Sequence, residues 1–331
     1  MTLATGVGSL PGTDAAAYGE AVRAVLELLP DLAPVPELPG RGATASMTGR
    51  TLAVVDGLDV DLQPAGWRLV GTSGSPGLDH RRARSLLGQD LDALEEHAQG
   101  WSGRLKTQVA GPWTLAATVE KPRGDRVLAD HGARRDLAEA LAEGVAQHVA
   151  DLRRRVDGAT EIVVQVDEPA LPAVLAGSVP TASGFHRHRS VDRPQASALL
   201  ETVLGAVRGA GAVPWVHSCA TDVPWDLLRG AGAEGLVVDL GTLRAADHDV
   251  LAEALEAGTT VVLGIVPSLE PSSAPSDKQL TERVERWLDM LGLDPSVGTL
   301  GVTSTCGLAG ASPAWARRAM TLARTVATSL S

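Results

Sequence analysis

Eight short apolar or β-branched runs, each followed by a loop and then a helix-like stretch, are spread along the 331 residues of this chain. They are LATGVGS from residue 3, APVPEL from 33, LKTQVAG from 105, EIVVQVDE from 161, AVPWVHS from 212, GLVVDL from 235, TTVVLGIV from 259 and GTLGVTST from 298. Repetition of that unit is the sequence form of βα repeats, whose strands pair in parallel and are covered by the intervening helices. Eight is the strand number of a TIM (β/α)8 barrel, and barrels of this length form a single unit. The expectation is therefore an α/β fold, one barrel domain over residues 1–331.

The helical stretches carry their own punctuation. Ala21, Val22, Val25, Leu26 and Leu29 recur at helical spacing behind Thr13 and Asp14, which are N-cap candidates. Leu137, Leu141, Val145 and Val149 form a stripe at four-residue steps in a long helix expected over Ala133 to Val156. Ser312 followed by Pro313 places a cap before a first-turn proline and opens a C-terminal helix through Trp315, Met320 and Leu322. The interval 50–74, with VVDGLDVDLQPAGWRLVG, reads instead as a small β-hairpin inserted into the barrel. Segments 122–126, 177–194 and 270–277 are rich in Pro, Ser, Gly or charge and read as surface loops.

Composition narrows the function classes. A net charge of −11 disfavours nucleic-acid binding, which depends on basic surfaces that neutralise phosphate. No run approaches the roughly 20 apolar residues of a membrane span, and MTLATGVGSLPG has no basic segment leading into an apolar one. The expected location is cytoplasmic, with no membrane partner.

Unusual polar residues fall where the strands end, the rim on which barrel enzymes build their sites. Ser9 follows the first strand, Glu37 ends the second, Asp167 and Glu168 close the fourth, His217 and Cys219 end the fifth, Asp239 ends the sixth and Cys306 follows the eighth. The chain has only two cysteines, and Cys219 lies two residues after His217, on the same side of an extended segment. A histidine with two thiolates is the donor set that borderline-soft Zn²⁺ takes. The alternatives are a disulfide, for which a large domain in a reducing compartment has little need, or a buried core histidine beside a buried thiol. Acidic residues on the same rim favour the metal. The DEP tripeptide at 167–169 and the lone Glu37 also read as solvated turns when taken singly. The HRHR run from His186 to Arg189 reads as a solvated basic loop, Trp113 as core or pocket wall, and His97, His131 and His148 as ordinary helical residues.

Taken in order, GVGSLPGT, QVDEPAL, HSC and TCGL resemble the C-terminal catalytic barrel of cobalamin-independent methionine synthase, in the superfamily that includes uroporphyrinogen decarboxylase. The likeness runs from Gly6 to Gly310. It implies a zinc-dependent transferase that activates a small thiol, homocysteine, and methylates its sulfur. On this resemblance His217, Cys219 and Cys306 match zinc ligands, Gly8 and Ser9 match the loop binding the substrate carboxylate, and Glu37 and Asp167 match the acidic residues holding its ammonium group. Glu168, in the same motif as Asp167, is taken with it as catalytic. The family's fourth ligand is a glutamate that falls at Gly241 here, so Asp239, two positions earlier on the same strand face, is the expected substitute.

The loop after the seventh strand reads GIVPSLEPSSAPS, without the family's catalytic Asp and His. The methyl donor, a methyl-folate or a methylcorrinoid protein, is left open. Two alternatives follow: a zinc-thiolate transferase using another electrophile such as an epoxide, and a non-catalytic barrel that binds zinc or an amino acid.

Overall fold

A computed structural model describes residues 2–71, 77–294 and 300–331. In chain order the elements are β1 (Leu3–Ala4), α1 (Ala15–Leu28), β2 (Ala33–Pro34), α2 (Met47–Val54), β3 (Val60–Gln63), β4 (Gly66–Leu69), α3 (Leu78–His97), β5 (Gly103–Ala110), α4 (Pro112–Thr118), α5 (His131–Arg155) and β6 (Ala159–Asp167). There follow α6 (Leu171–Leu175), α7 (Arg193–Gly209), β7 (Val213–Ser218), α8 (Trp225–Gly230), β8 (Gly235–Asp239), α9 (Ala245–Glu256), β9 (Thr260–Val266), α10 (Asp277–Leu291), β10 (Leu300–Ser304) and α11 (Pro313–Ser329).

All eight expected runs contain strands. They form one eight-stranded parallel sheet in the order β1, β10, β9, β8, β7, β6, β5, β2. Residues 298 and 299 of the last run lie outside the described residues. The two ends of the sheet meet beyond the strands themselves. Ser9 bridges Glu37 in parallel, the Leu10 N–H donates to the Glu37 carbonyl at 2.8 Å, and the Glu37 N–H donates to the Gly8 carbonyl at 3.1 Å. The sheet thus curls into a TIM-type (β/α)8 barrel, and two of the rim residues singled out from the sequence stand at its seam.

The helices follow their punctuation. Asp14 caps α1 through the Ala17 N–H, Asp130 caps α5 through Ala133, and Ser312 caps α11 through Trp315. Trp113 is core: it is buried, and its indole N–H donates to the Ala196 carbonyl at 3.0 Å.

The hairpin is smaller than expected. Within 50–74, residues up to Val54 belong to α2, because Ser46 caps that helix through the Gly49 N–H; the antiparallel hairpin is β3 with β4. Residues 72–74 of the expected hairpin lie outside the described residues.

Inside the barrel, Leu3, Leu32, Val163, Trp215, Val237 and Val262 pack as an apolar cluster. Polar residues also point inward. Gln108 pairs in register with Gln165, and Asp167 with His217, so each pair projects to the same side of the sheet. No helix among the described residues is long and apolar enough to cross a membrane.

Candidate active site

A cavity of about 150 Å³ opens at the C-terminal ends of the strands, and its lining includes Ser9, Glu37, Gln108, Asp167, His217, Cys219 and Cys306. Val7, Pro39, Met47 and Pro169 supply an apolar wall. The cavity is small and mostly apolar with a few convergent polar groups, the composition of a site for a small molecule.

His217 comes from β7, Cys219 from the turn that follows it, and Cys306 from the turn after β10. One donor atom of each lies within 4.8 Å of the others. The imidazole is buried, and its Nδ1 stands 3.0 Å from the Val237 carbonyl oxygen. A carbonyl only accepts, so Nδ1 carries the proton and Nε2 keeps its lone pair. A backbone carbonyl on the far ring nitrogen is the usual support of a metal-binding histidine. Burial pulls the His217 pKa down to about 4, against the pull of that carbonyl, so the ring is neutral.

Cys219 and Cys306 are drawn together as a disulfide pair with Cα atoms 5.8 Å apart, the pairing that the sequence reading ranked below metal binding. A cystine and a pair of thiolate ligands use the same two sulfurs and exclude each other, because coordination needs both as thiolates. The donor chemistry of His217, Cys219 and Cys306 fits three positions of a tetrahedral zinc shell.

Asp239 is not part of this group. Its Oδ1 accepts the Gly241 N–H at 2.8 Å, within its own turn. Burial raises its pKa, while the Gly241 N–H and the Arg283 charge work against that. Asp239 does end β8, but its short side chain is held by the turn that follows rather than grouped with the two sulfurs.

Glu37 and Asp167 line the same cavity, and both are buried. Arg50 approaches Glu37 at 3.6 Å, and Gln165 Nε2 donates to Asp167 Oδ1 at 2.8 Å. Burial raises both carboxyl pKa values; Arg50 chiefly lowers that of Glu37, and Lys106 lowers that of Asp167 against the repulsion of Glu37. Gly8, beside Ser9, has φ +140°, and a Cβ there would collide with the Gln108 amide, so this turn requires glycine.

Glu168 has a different place from Asp167. It is fully buried and does not line the cavity. Its carboxylate accepts the Trp113 N–H at 2.9 Å, the Thr114 N–H at 2.8 Å and the Thr114 hydroxyl at 2.7 Å, which makes it the N-terminal anchor of α4. Burial pushes its pKa up to about 7, and those donors pull it back. A Cβ at Gly111 would strike this carboxylate, which explains the glycine before Pro112. Among the HRHR residues, His188 is buried and stands 3.2 Å from Asp125, so that loop is clipped to its neighbour rather than wholly solvated.

The sequence reading passed over Lys106, Gln108 and Gln165. Their signal was present: polar residues at alternate positions, 106 and 108, 165 and 167, in two of the expected strands.

A family model for the catalytic domain of cobalamin-independent synthase matches residues 104–329. No curated protein matches the sequence. Among solved structures, a B12-independent methionine synthase from Shewanella sp. W3-18-1, in complex with selenomethionine, superposes with a TM-score of 0.64 at 13% identity, covering 100% of this chain and 98% of that one. GH5_18 from Streptomyces cattleya in complex with GlcNAc aligns over 99% of this chain and 80% of its own, at 15% identity and a TM-score of 0.47.

Proposed function

From the premise that this chain belongs to the family of cobalamin-independent synthase catalytic domains, and is on that ground a methyltransferase, we propose that it methylates the sulfur of homocysteine to give methionine. What carries the reading is the meeting, in one cavity, of the His217, Cys219 and Cys306 donor set with the carboxylates of Glu37 and Asp167. The two halves match the two ends of an amino-acid thiol. The selenomethionine held by the Shewanella enzyme supports a pocket of this kind.

In this reading His217, Cys219 and Cys306 hold zinc. Bound there, zinc supplies a Lewis acid that lowers the pKa of a thiol from about 8.5, so that the sulfur is a nucleophile at neutral pH. Glu37 and Asp167 take the substrate ammonium, a charge pairing strengthened by their exclusion from water. Ser9, in the tight turn that Gly8 allows, receives the substrate carboxylate. With both amino-acid groups fixed, the sulfur faces a single direction, and positioning of this kind removes much of the entropic cost of a two-substrate reaction. Overall, the S–H and methyl–donor bonds break and an S–CH3 bond forms; the donor keeps the electron pair of its broken bond, and the thiol proton passes to the departing nitrogen of a folate or, with a corrinoid donor, to solvent.

The test is to incubate reduced, zinc-loaded protein with L-homocysteine and either a methyl-folate or a methylcorrinoid protein, and to follow methionine by mass spectrometry. Methionine formed with one donor, and not by a Cys306→Ala variant, is the expected result. If neither methyl donor gives methionine while an epoxide is opened by homocysteine, the thiol half of the proposal stands and the methyl half fails. If no thiol binds at all, the proposal fails entirely.

A further inference from the structure

We propose that Lys106, buried beneath the cavity, is a positioning residue for the amino-acid end of the substrate, because it orders two glutamines, of which Gln165 holds Asp167 and Gln108 lines the cavity with Glu37. The inference rests on the reading of those two carboxylates as the ammonium ligands.

Lys106 has no solvent exposure. Its ammonium has three N–H donors and three acceptors around it: the Val7 carbonyl at 2.9 Å, Gln165 Oε1 at 2.7 Å and Gln108 Oε1 at 3.5 Å. An ammonium group cannot accept, so each glutamine must turn its oxygen to Lys106 and its nitrogen away. For Gln165 that sends Nε2 to the Val7 carbonyl at 3.0 Å and to Asp167 Oδ1 at 2.8 Å. For Gln108 it sends Nε2 to the Val35 carbonyl at 2.6 Å, and the same side chain lowers the pKa of Glu37.

One cation therefore sets the orientation of two amides: Gln165 presents N–H to Asp167, and Gln108 lines the cavity together with Glu37. The cation also supplies a positive charge close to both carboxylates, which offsets part of the cost of keeping them buried. Without it, Gln165 could rotate and set its oxygen against Asp167.

The experiment compares two ligands by calorimetry on zinc-loaded protein: L-methionine and 4-(methylthio)butanoate, which lacks only the amino group. Wild-type protein should prefer L-methionine, and Lys106→Met should reduce that preference at least about tenfold, the effect of a lost hydrogen bond to a charged group, with zinc content and affinity for the amino-free ligand unchanged. Gln165→Glu keeps the contact to Lys106 and removes the N–H facing Asp167, so it should show the same selective loss and serves if Lys106→Met does not fold. If the variants weaken both ligands alike, or neither, the inference is overturned. A wild-type protein without preference between the two ligands would instead overturn the assignment of Glu37 and Asp167.

Discussion

Asp167 and His217 are register partners on the neighbouring parallel strands β6 and β7, and both line the same cavity. A carboxylate and an imidazole are thus fixed side by side by backbone hydrogen bonding rather than by a loop. The arrangement is rigid by construction, since neither residue can shift without disturbing the ladder. It also makes the two halves of the site separable by mutation, because each side chain has its own support: Gln165 behind Asp167, Val237 behind His217.

Reduced protein is expected to bind about one equivalent of zinc per chain, and Cys219→Ala and Cys306→Ala should each lose it while remaining folded. Metal analysis after dialysis, with circular dichroism as the control for folding, decides this. Full zinc retention by both variants would remove the metal assignment.

Asp167→Asn and Glu37→Gln should weaken L-methionine binding by about tenfold or more and leave the zinc content intact, because each removes one charge facing the ammonium and none of the metal donors. Titration calorimetry with parallel metal analysis separates the two effects. Joint loss of zinc and ligand would mean that the carboxylates support the metal.

Glu168→Ala should cost about 3 kcal/mol of stability, because it leaves the Trp113 N–H, the Thr114 N–H and the Thr114 hydroxyl buried without their acceptor. Urea unfolding measures it. A variant as stable as wild type would show that α4 does not depend on this anchor.

Outside the cavity, Asp90 joins two buried arginines. Its carboxylate takes both Arg41 nitrogens, at 2.7 and 2.6 Å, and Arg50 Nη1 at 2.7 Å, and all three side chains are buried. Asp90→Ala leaves two buried guanidinium groups with no shared partner, so a loss of about 3–5 kcal/mol is expected. Because Arg50 also approaches Glu37, ligand affinity should fall as well. Unchanged thermal unfolding would contradict this account.

His148 should contribute to acid sensitivity. Buried against the Thr107 hydroxyl at 3.1 Å, its imidazole is pulled down to about 4 by burial and, secondarily, by the Arg50 charge. The native state holds it neutral and the unfolded chain binds its proton near pH 6.5, so its stability contribution is complete above pH 6.5 and is lost as pH falls towards 4. That loss is about 3 kcal/mol at its limit. In urea unfolding, wild type should lose up to about 3 kcal/mol more than His148→Gln as pH falls from 6.5 to 4; parallel curves would exclude the assignment.

Much of this was legible in the chain alone. The eight strands were visible because apolar β-branched runs alternate with capped amphipathic stretches, and both signals are local. Asp14 and Ser312 act as caps where the sequence placed them. The hairpin expected over 50–74 starts later, because Ser46 caps a helix over Met47–Val54 that takes up its first residues. The rim residues were also legible, since strand ends can be counted.

What the sequence could not decide was which side chains meet. It marked Asp167 and Glu168 as one motif, yet neighbouring positions at a strand end face opposite ways, so one lines the cavity and the other anchors α4. It showed Lys106, Gln108 and Gln165 as polar interruptions, but their common point lies inside a closed sheet, where residues 7, 106 and 165 converge only once Ser9 and Glu37 join its ends. Asp239 stood at a plausible distance along the chain and lies outside the group of His217, Cys219 and Cys306. Local periodicity writes the strands and helices into the sequence; closure of the barrel, a long-range event, selects the partners of every buried charge.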